Sequence, residues 1–389
     1  MISIDEAFSK LDGVDFPLKE TAVSLMNASH CVLSETVLSP INMPPFRQSN
    51  MDGFALSLHE ALVYEIVGEV KAGDSKSIDL KPGQAVKIFT GAAIPNSAQA
   101  VIQIEKVSTK DNQLFLQETV LHETNIRPLG SQIQQNDIAL EKGTFLNPAA
   151  IGFLAGLGFT SVNVYQKPTV AIITTGNELV AAGQPLAHGQ VYESNGIMLQ
   201  TALHNSHFNQ VKMYQMSDDF ENTKSTLKQA IDDNDIVVVS GGISVGDYDF
   251  VYHALQSLNV ETLFYKVNQK PGKPLLVGKL NDKMIFALPG NPAASLTCFY
   301  IYVLPTLQKF SGMKTSYKTT IQKNLANDYA VDNTRDQFLK ATISNDEVTI
   351  LSHQDSSMLD SFALANALVY LKNGDYTMLK GDKVAVYLL

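Results

Sequence analysis

The sequence predicts a multidomain α/β protein: a parallel sheet covered on both faces, with β-rich modules before and after it. Three observations lead there. At 389 residues and 42.5 kDa the chain exceeds what one ordinary core encloses. From residue 168 to about 314 it alternates strand, loop and helix, and its strands are runs of apolar residues without polar alternation. Such runs mark strands buried on both faces. Between about 52 and 124, and again after 315, short strands separated by Gly, Asp, Asn and Pro replace that alternation.

The elements follow in order. The first forty residues read as helix and turn, from 5–11 through Pro17 to a segment ending near Pro40. Ser39-Pro40 and Pro44-Pro45 then mark a domain crossing. Strands are expected at 64–70, 84–89, 100–107 and 114–119, and an Ala- and Gly-rich scaffold helix at 148–159. In the α/β part, strands are expected at 169–174, 208–216, 235–240 and 284–288. Helices are expected at 195–204, 220–231, 250–258 and 293–307. The remainder to Leu389 reads as a compact β module.

Composition narrows the function. Hydrophobic residues make up 45% and charged residues 17%, an ordinary globular balance. A net charge of −10 and a pI near 5.3 weigh against binding nucleic acid or an acidic membrane surface. An anionic substrate would therefore need local donors. The opening carries an acidic pair, Asp5-Glu6, where a signal peptide is basic, and the longest apolar stretches are short for a membrane span. Cys31 and Cys298 have no CxxC or Cys/His spacing, so a reduced, cytoplasmic protein is expected.

Three loops after strands of the α/β part have anion-site chemistry. Thr174-Thr175-Gly176-Asn177-Glu178 lets backbone N–H groups approach a phosphate, with Glu178 placed to hold a bridging cation. A plain strand-to-helix turn explains it equally well. Ser240-Gly241-Gly242-Ile243-Ser244-Val245-Gly246-Asp247-Tyr248-Asp249 has more glycine than a helix cap requires, and Asp247 and Asp249 suit either capping or a hard cation. Lys270-Pro271-Gly272-Lys273-Pro274 presents two ammonium groups on a rigid turn, as an anion clamp would. Leu288-Pro289-Gly290-Asn291-Pro292 ends one strand and starts a helix. Asp218-Asp219 supplies a carboxylate pair, one of them explained by capping. Earlier, Asn50-Met51-Asp52-Gly53-Phe54 and Phe89-Thr90-Gly91-Ala92 read by pattern alone as hairpin turns.

Together these loops resemble the motif set of the molybdopterin molybdenumtransferase family (MoeA in bacteria, the gephyrin E-domain in animals). Met51-Asp52-Gly53-Phe54-Ala55, Thr90-Gly91-Ala92, Thr175-Gly176-Asn177-Glu178, the Ser240–Gly246 loop, the Lys270–Pro274 turn and Pro289-Gly290-Asn291-Pro292 occur in family order over essentially the full chain. The resemblance implies a discontinuous helical linker domain (1–41 and 127–167), an inserted β domain (42–126), a MogA-like doubly wound α/β domain (168–314) and a C-terminal β-barrel (315–389). It implies a homodimer, transient contact with a MogA-like adenylyltransferase, and the substrates molybdate and adenylylated molybdopterin. The implied reaction places molybdate on the dithiolene sulfurs and releases AMP with help from Mg²⁺.

Residue by residue, the resemblance gives catalytic positions at Asp52, Thr90, Glu178, Asp218, Asp249, Lys270 and Lys273, with Asp52 and Thr90 supplied by the opposing subunit. Glu178, Asp218 and Asp249 are its metal positions. Thr175, Gly176, Ser240, Gly241, Gly242, Ser244, Gly246, Pro289, Gly290, Asn291 and Pro292 are its substrate-binding positions. The chain departs from the family pattern at Leu129 and Gln132, where a basic residue and an Asp are usual, and at His30-Cys31, which replace Gly-Arg. A MogA-like adenylyltransferase is the main alternative enzyme, which the extra β modules oppose. A tungstate-inserting homologue and a weakened paralogue acting as a binding or scaffold protein complete the alternatives.

Overall fold

A computed structural model describes residues 1–74, 78–243 and 250–389. The chain divides into two compact units, one formed by Met1–Thr21, His30–Val32 and Val164–Leu389, the other by Ala22–Ser29 and Leu33–Asn163.

The larger unit is built on a six-stranded sheet. In spatial order its strands are Val211–Met216, Val170–Thr175, Ile236–Ser240, Lys283–Leu288, Leu276–Leu280 and Glu261–Tyr265. The first four run parallel, in register Thr174↔Gln215, Thr174↔Ser240 and Ser240↔Leu288. Successive residues of the last three of these feed opposite cores, while the edge strand Val211–Met216 leaves Lys212, Met213 and Gln215 exposed. Val170, Ile172, Ile236, Val238, Met284 and Phe286 enter one cluster. Ala171, Ile173, Val237, Val239, Ile285 and Ala287 enter the other. With both faces buried, apolar residues are required at every position, which is why the runs lack alternation.

The first face is covered by helices Ile4–Asp12 and Asn195–Asn205 and the helical run beginning at Pro292. The second is covered by Phe220–Asp233 and by Phe250–Ser257. Ser3 caps the first helix in a reciprocal box with Glu6, satisfying two otherwise orphaned donors.

The expected parallel sheet carries an antiparallel pair at one side. Leu276–Leu280 pairs antiparallel with both neighbours. Only Asn281 and Asp282 separate it from Lys283–Leu288, too short a link for a crossover, and Asn281 adopts φ 55° there, so a hairpin results. The helix expected at 293–307 runs on to Phe310 through a π-helical stretch, Phe299–Val303. That stretch ends two residues before Pro305, which has no N–H to donate to the helix.

The C-terminal module is a closed barrel. Asp336–Ser344, Glu347–Ile350, Ile321–Leu325, Lys383–Leu388 and Ala367–Leu371 pair in a ring that returns to Asp336–Ser344. Gln269–Lys270 adds a short parallel strand to it. Phe338, Phe362 and Leu368 belong to the same apolar cluster as the sheet, so barrel and sheet share a core.

The smaller unit holds a six-stranded sheet ordered Ala100–Gln103, Gly53–Leu56, Gln84–Ile88, Val63–Val70, Gln113–Leu116 and Val107–Lys110. Gly53–Leu56 is one of its inner strands rather than a hairpin turn. A Cβ on Gly53 would lie 1.8 Å from the Ile102 carbonyl oxygen, so close backbone approach, not flexibility, requires glycine there. After the first helix the chain is extended: Glu20–Ser24 is a strand with alternating exposure. Among the described residues no helix is long and apolar enough to cross a membrane.

Candidate functional site

A cleft of about 820 Å³ opens at the carboxyl ends of the parallel strands. From Val170–Thr175 the chain goes to the neighbour on one side, Val211–Met216, and then to Ile236–Ser240 on the other. The loops leaving a strand pair at such a reversal diverge and leave a crevice. Thr174, Thr175, Gly176, Glu178, Asp218, Ser240, Gly241, Gly242, Pro289, Gly290, Asn291 and Pro292 all line it. Sequence positions far apart therefore meet because their strands end side by side.

Each wall is held locally. Asp219 caps the helix Phe220–Asp233 by accepting from Asn222 N. Asp218 instead binds the first loop, accepting from Thr175 Oγ1 at 2.8 Å and from Asn177 N at 3.1 Å. Gly176 adopts φ 142°, and a Cβ there would lie 2.7 Å from either Glu178 carboxylate oxygen. Any side chain at 176 would therefore displace Glu178. Gly241 adopts φ 96°, with Thr175 carbonyl oxygen 3.2 Å from its Cβ position, and donates to Leu288 O.

Asn195 is a cleft residue that sequence reading treated only as the start of a helix. Its Nδ2 donates to Ser240 Oγ at 2.8 Å and to Gly290 O at 2.7 Å, joining the second and fourth loops. Its Oδ1 is buried without a partner among the described residues and belongs to a residue lining the cleft. Glu193 fixes the same turn by accepting from Gly196 N at 2.7 Å. The only sequence signal was the polar Ser194-Asn195-Gly196 run at the helix start.

Lys270 and Lys273 are exposed and line a second hollow of about 210 Å³ that shares Pro274, Pro289 and Asn291 with the cleft. Arg335, Gln354, Asp355 and Ser356 of the C-terminal module complete it. Arg335 Nη1 donates to Gln269 O. The buried Gln269 side chain donates to Pro271 O and Gly272 O and accepts from Tyr302 Oη, bracing the lysine turn from behind. Among the described residues Lys270, Lys273 and Arg335 enter no ion pair. Three cationic residues thus line one hollow, and among the described residues Asp355 is its one acidic lining residue, an arrangement suited to a small anion. Arg335 and Ser356 lie too far along the sequence from any recognised loop to have been read as site residues.

The remaining positions are placed as follows. In the smaller unit Asp52 Oδ1 accepts from Thr90 N and Thr90 Oγ1, both at 2.7 Å. The backbone bond first and the hydroxyl bond second hold the Asp52 carboxyl below the ordinary carboxylate range. Leu129 and Gln132 are exposed in that unit. Ser244, Gly246 and Asp249 lie outside the described residues. Among the described residues no group of three His, Cys, Asp or Glu side chains converges as a metal cage. The carboxylates that line the cleft, Glu178, Glu193 and Asp218, stand apart rather than as one cage, and with the hydroxyls of Thr175 and Ser240 they give the described lining oxygen donors and no thiol or imidazole. That chemistry fits a hard cation sharing its ligands with a substrate.

Comparison with known proteins agrees with this geometry along the whole chain. Residues 2–158 match the MoeA N-terminal region (domain I and II), 171–309 the probable molybdopterin binding domain, and 323–389 the MoeA C-terminal region (domain IV). A molybdopterin molybdenumtransferase from Staphylococcus epidermidis is 32% identical over 100% of this chain and 95% of its own. One from Haemophilus influenzae is 31% identical over 99% and 98%. The crystal structure of a molybdopterin biosynthesis MoeA protein from Pyrococcus horikosii superposes with a TM-score of 0.83, at 28% identity, covering 100% of this chain and 99% of that one. With its motifs gathered at one strand-end cleft and its full length matched, the chain belongs to the molybdopterin molybdenumtransferase family, transferases of molybdenum cofactor biosynthesis.

Proposed function

We propose that this chain transfers molybdenum from molybdate to adenylylated molybdopterin, releasing AMP, with the two ligands divided between adjoining hollows. The observation that carries this reading is the shared wall. An oxygen-lined cleft and a three-cation hollow meet at Pro274, Pro289 and Asn291. Thr175, Ser240 and the glycine backbone of the second loop would receive the phosphates, and Asn195 would hold that loop against the fourth. Lys270, Lys273 and Arg335 would offset the charge of a tetrahedral dianion, which the net charge of −10 otherwise repels. Glu178 and Asp218, with Asp249, would hold Mg²⁺, whose chemistry is to neutralise charge as the phosphoanhydride breaks. Asp218 keeps Thr175 and Asn177 in place in either case.

The test titrates AMP release against molybdate and against Mg²⁺. Lys273→Ala is expected to need more molybdate at unchanged Mg²⁺ demand, and Glu178→Gln more Mg²⁺ at unchanged molybdate demand. Equal responses from both variants would refute the division. Tungstate, a dianion of the same shape, is run in parallel to settle which oxyanion is preferred.

The finer organisation belongs to the same reading. Four modules (1–41 with 127–167, 42–126, 168–314 and 315–389) would make up the subunit of a cytoplasmic homodimer that meets a MogA-like adenylyltransferase transiently. The family resemblance supports the dimer, and the two cysteines, Cys31 and Cys298, are both buried and lack CxxC or Cys/His spacing, which is consistent with a reducing compartment. Sedimentation at assay concentration should give twice the subunit mass, and a fully active monomer would overturn the dimer.

A further inference from the structure

Lys340 lies in the barrel strand Asp336–Ser344 and is only 3% exposed. Burying an ammonium is costly unless its donors are satisfied. Here no carboxylate pairs with it among the described residues. Its Nζ instead donates to three backbone carbonyls, those of His353, Asp355 at 3.3 Å and Met358 at 3.0 Å. All three lie in the loop between the strand Glu347–Ile350 and the helix Asp360–Leu364.

That loop forms the barrel's side of the cationic hollow through Gln354, Asp355 and Ser356. Its other ties lead to the same place. Gln354 Nε2 donates to Lys340 O at 2.9 Å, while Lys340 N donates to Gln354 Oε1. Ser361 Oγ donates to His353 O at 2.8 Å. On the far side Ser356 Oγ accepts from Asn291 Nδ2 at 2.7 Å, and Ser356 O accepts from Ala294 N. One buried cation therefore holds the inner edge of a loop whose outer edge meets the Asn291 wall. Burial pulls the Lys340 ammonium below its ordinary pKa, opposed by the nearby Asp360 and Asp355 carboxylates.

We propose that Lys340 is a positioning residue for the cationic hollow, holding the 353–358 loop so that Ser356 and Asp355 face Lys270, Lys273 and Arg335 at the spacing a tetrahedral oxyanion requires. The inference rests on the reading of that hollow as the oxyanion site. A general contribution to stability would lower the amount of active enzyme. A positioning role changes the oxyanion demand of the enzyme that is folded.

The experiment measures AMP release against sodium molybdate for the full-length wild type, Lys340→Met, Ser361→Ala and Lys273→Ala. Lys340→Met should raise the half-saturating molybdate concentration about tenfold, as misplacement of the loop weakens about one hydrogen bond to the oxyanion, with maximal rate and Mg²⁺ demand little changed. Ser361→Ala, which removes one of the two side-chain donors to the His353 carbonyl, should shift the same constant less and in the same direction. Should Lys340→Met not fold, Ser361→Ala decides alone. If Lys273→Ala shifts the molybdate constant while folded Lys340→Met and Ser361→Ala do not, the positioning role is overturned and the oxyanion site stands. If Lys273→Ala shifts nothing, the oxyanion site falls and the inference with it.

Discussion

Asp235 accepts from Thr169 N at 2.9 Å and Thr169 Oγ1 at 2.8 Å, and pairs with Lys19 at 2.8 Å. Thr169 and Asp235 immediately precede Val170–Thr175 and Ile236–Ser240, the neighbouring strands whose far ends place Thr174 opposite Ser240 in the cleft. A clamp at one end of the pair thus sets register at the working end. Burial raises the Asp235 pKa, but the hydrogen bonds from Lys19 and Thr169 outweigh it and leave the value lowered. A lowered folded pKa means stabilisation that is present above the unfolded value, near 3.8, and lost as pH falls through the folded one. Asp235→Asn should therefore cost about 1–3 kcal/mol at pH 7, as hydrogen bonds to a charged group do. The Lys19 contribution is small because that side chain is 53% exposed. Melting curves of both proteins at pH 7 and pH 3 check this. The gap should be open at pH 7 and close toward pH 3, and a gap independent of pH would show that the charge is immaterial.

At the scale of elements, legibility followed how local the determining physics was. The strand at 170–175 and the helix from 220 were readable because burial on two faces, or on one stripe, dictates every residue in the run. The antiparallel strands 261–265 and 276–280 were not, because Thr262 in one and Gly278-Lys279 in the other interrupt short apolar runs. Asn50–Phe54 reads as a turn because Asp52-Gly53 is a common turn pair, and only the approach of Ile102 reveals the glycine's purpose. The site divides the same way. Glycine loops directly after strands announced the cleft. Arg335 and Ser356 could not be seen, since closure of the barrel brings them to the hollow, nor could Lys340 behind them, and nothing beside any of the three in the sequence marks it. Asp218 and Asp219 looked alike in sequence and separate only in space, one holding a loop and the other capping a helix.

At the scale of the molecule, the two units enclose cores of their own. Ile88, Val86 and Val101 lie in one cluster of the smaller unit, and Phe54, Tyr64 and Leu114 in another. Val238, Phe286 and Phe338 share a cluster that joins sheet and barrel in the larger. Cooperativity extends as far as a shared core does, so sheet and barrel should melt together and the smaller unit by itself. Calorimetry should resolve two transitions, a reading that suits a chain without tryptophan to report unfolding by fluorescence. Variants assign them. Ile88→Ala removes a side chain with 0% exposure and should cost about 2–5 kcal/mol, lowering only the transition of the smaller unit. Asp235→Asn should lower only the other, by about 2–4 °C per kcal/mol for a unit of this size. An inhibitor-like tetrahedral anion such as tungstate, bound in the hollow between sheet and barrel, should raise the Asp235-sensitive transition and leave the Ile88-sensitive one in place. A single transition moved by both variants would mean that the units fold as one, and that stability in either reaches the site in the other.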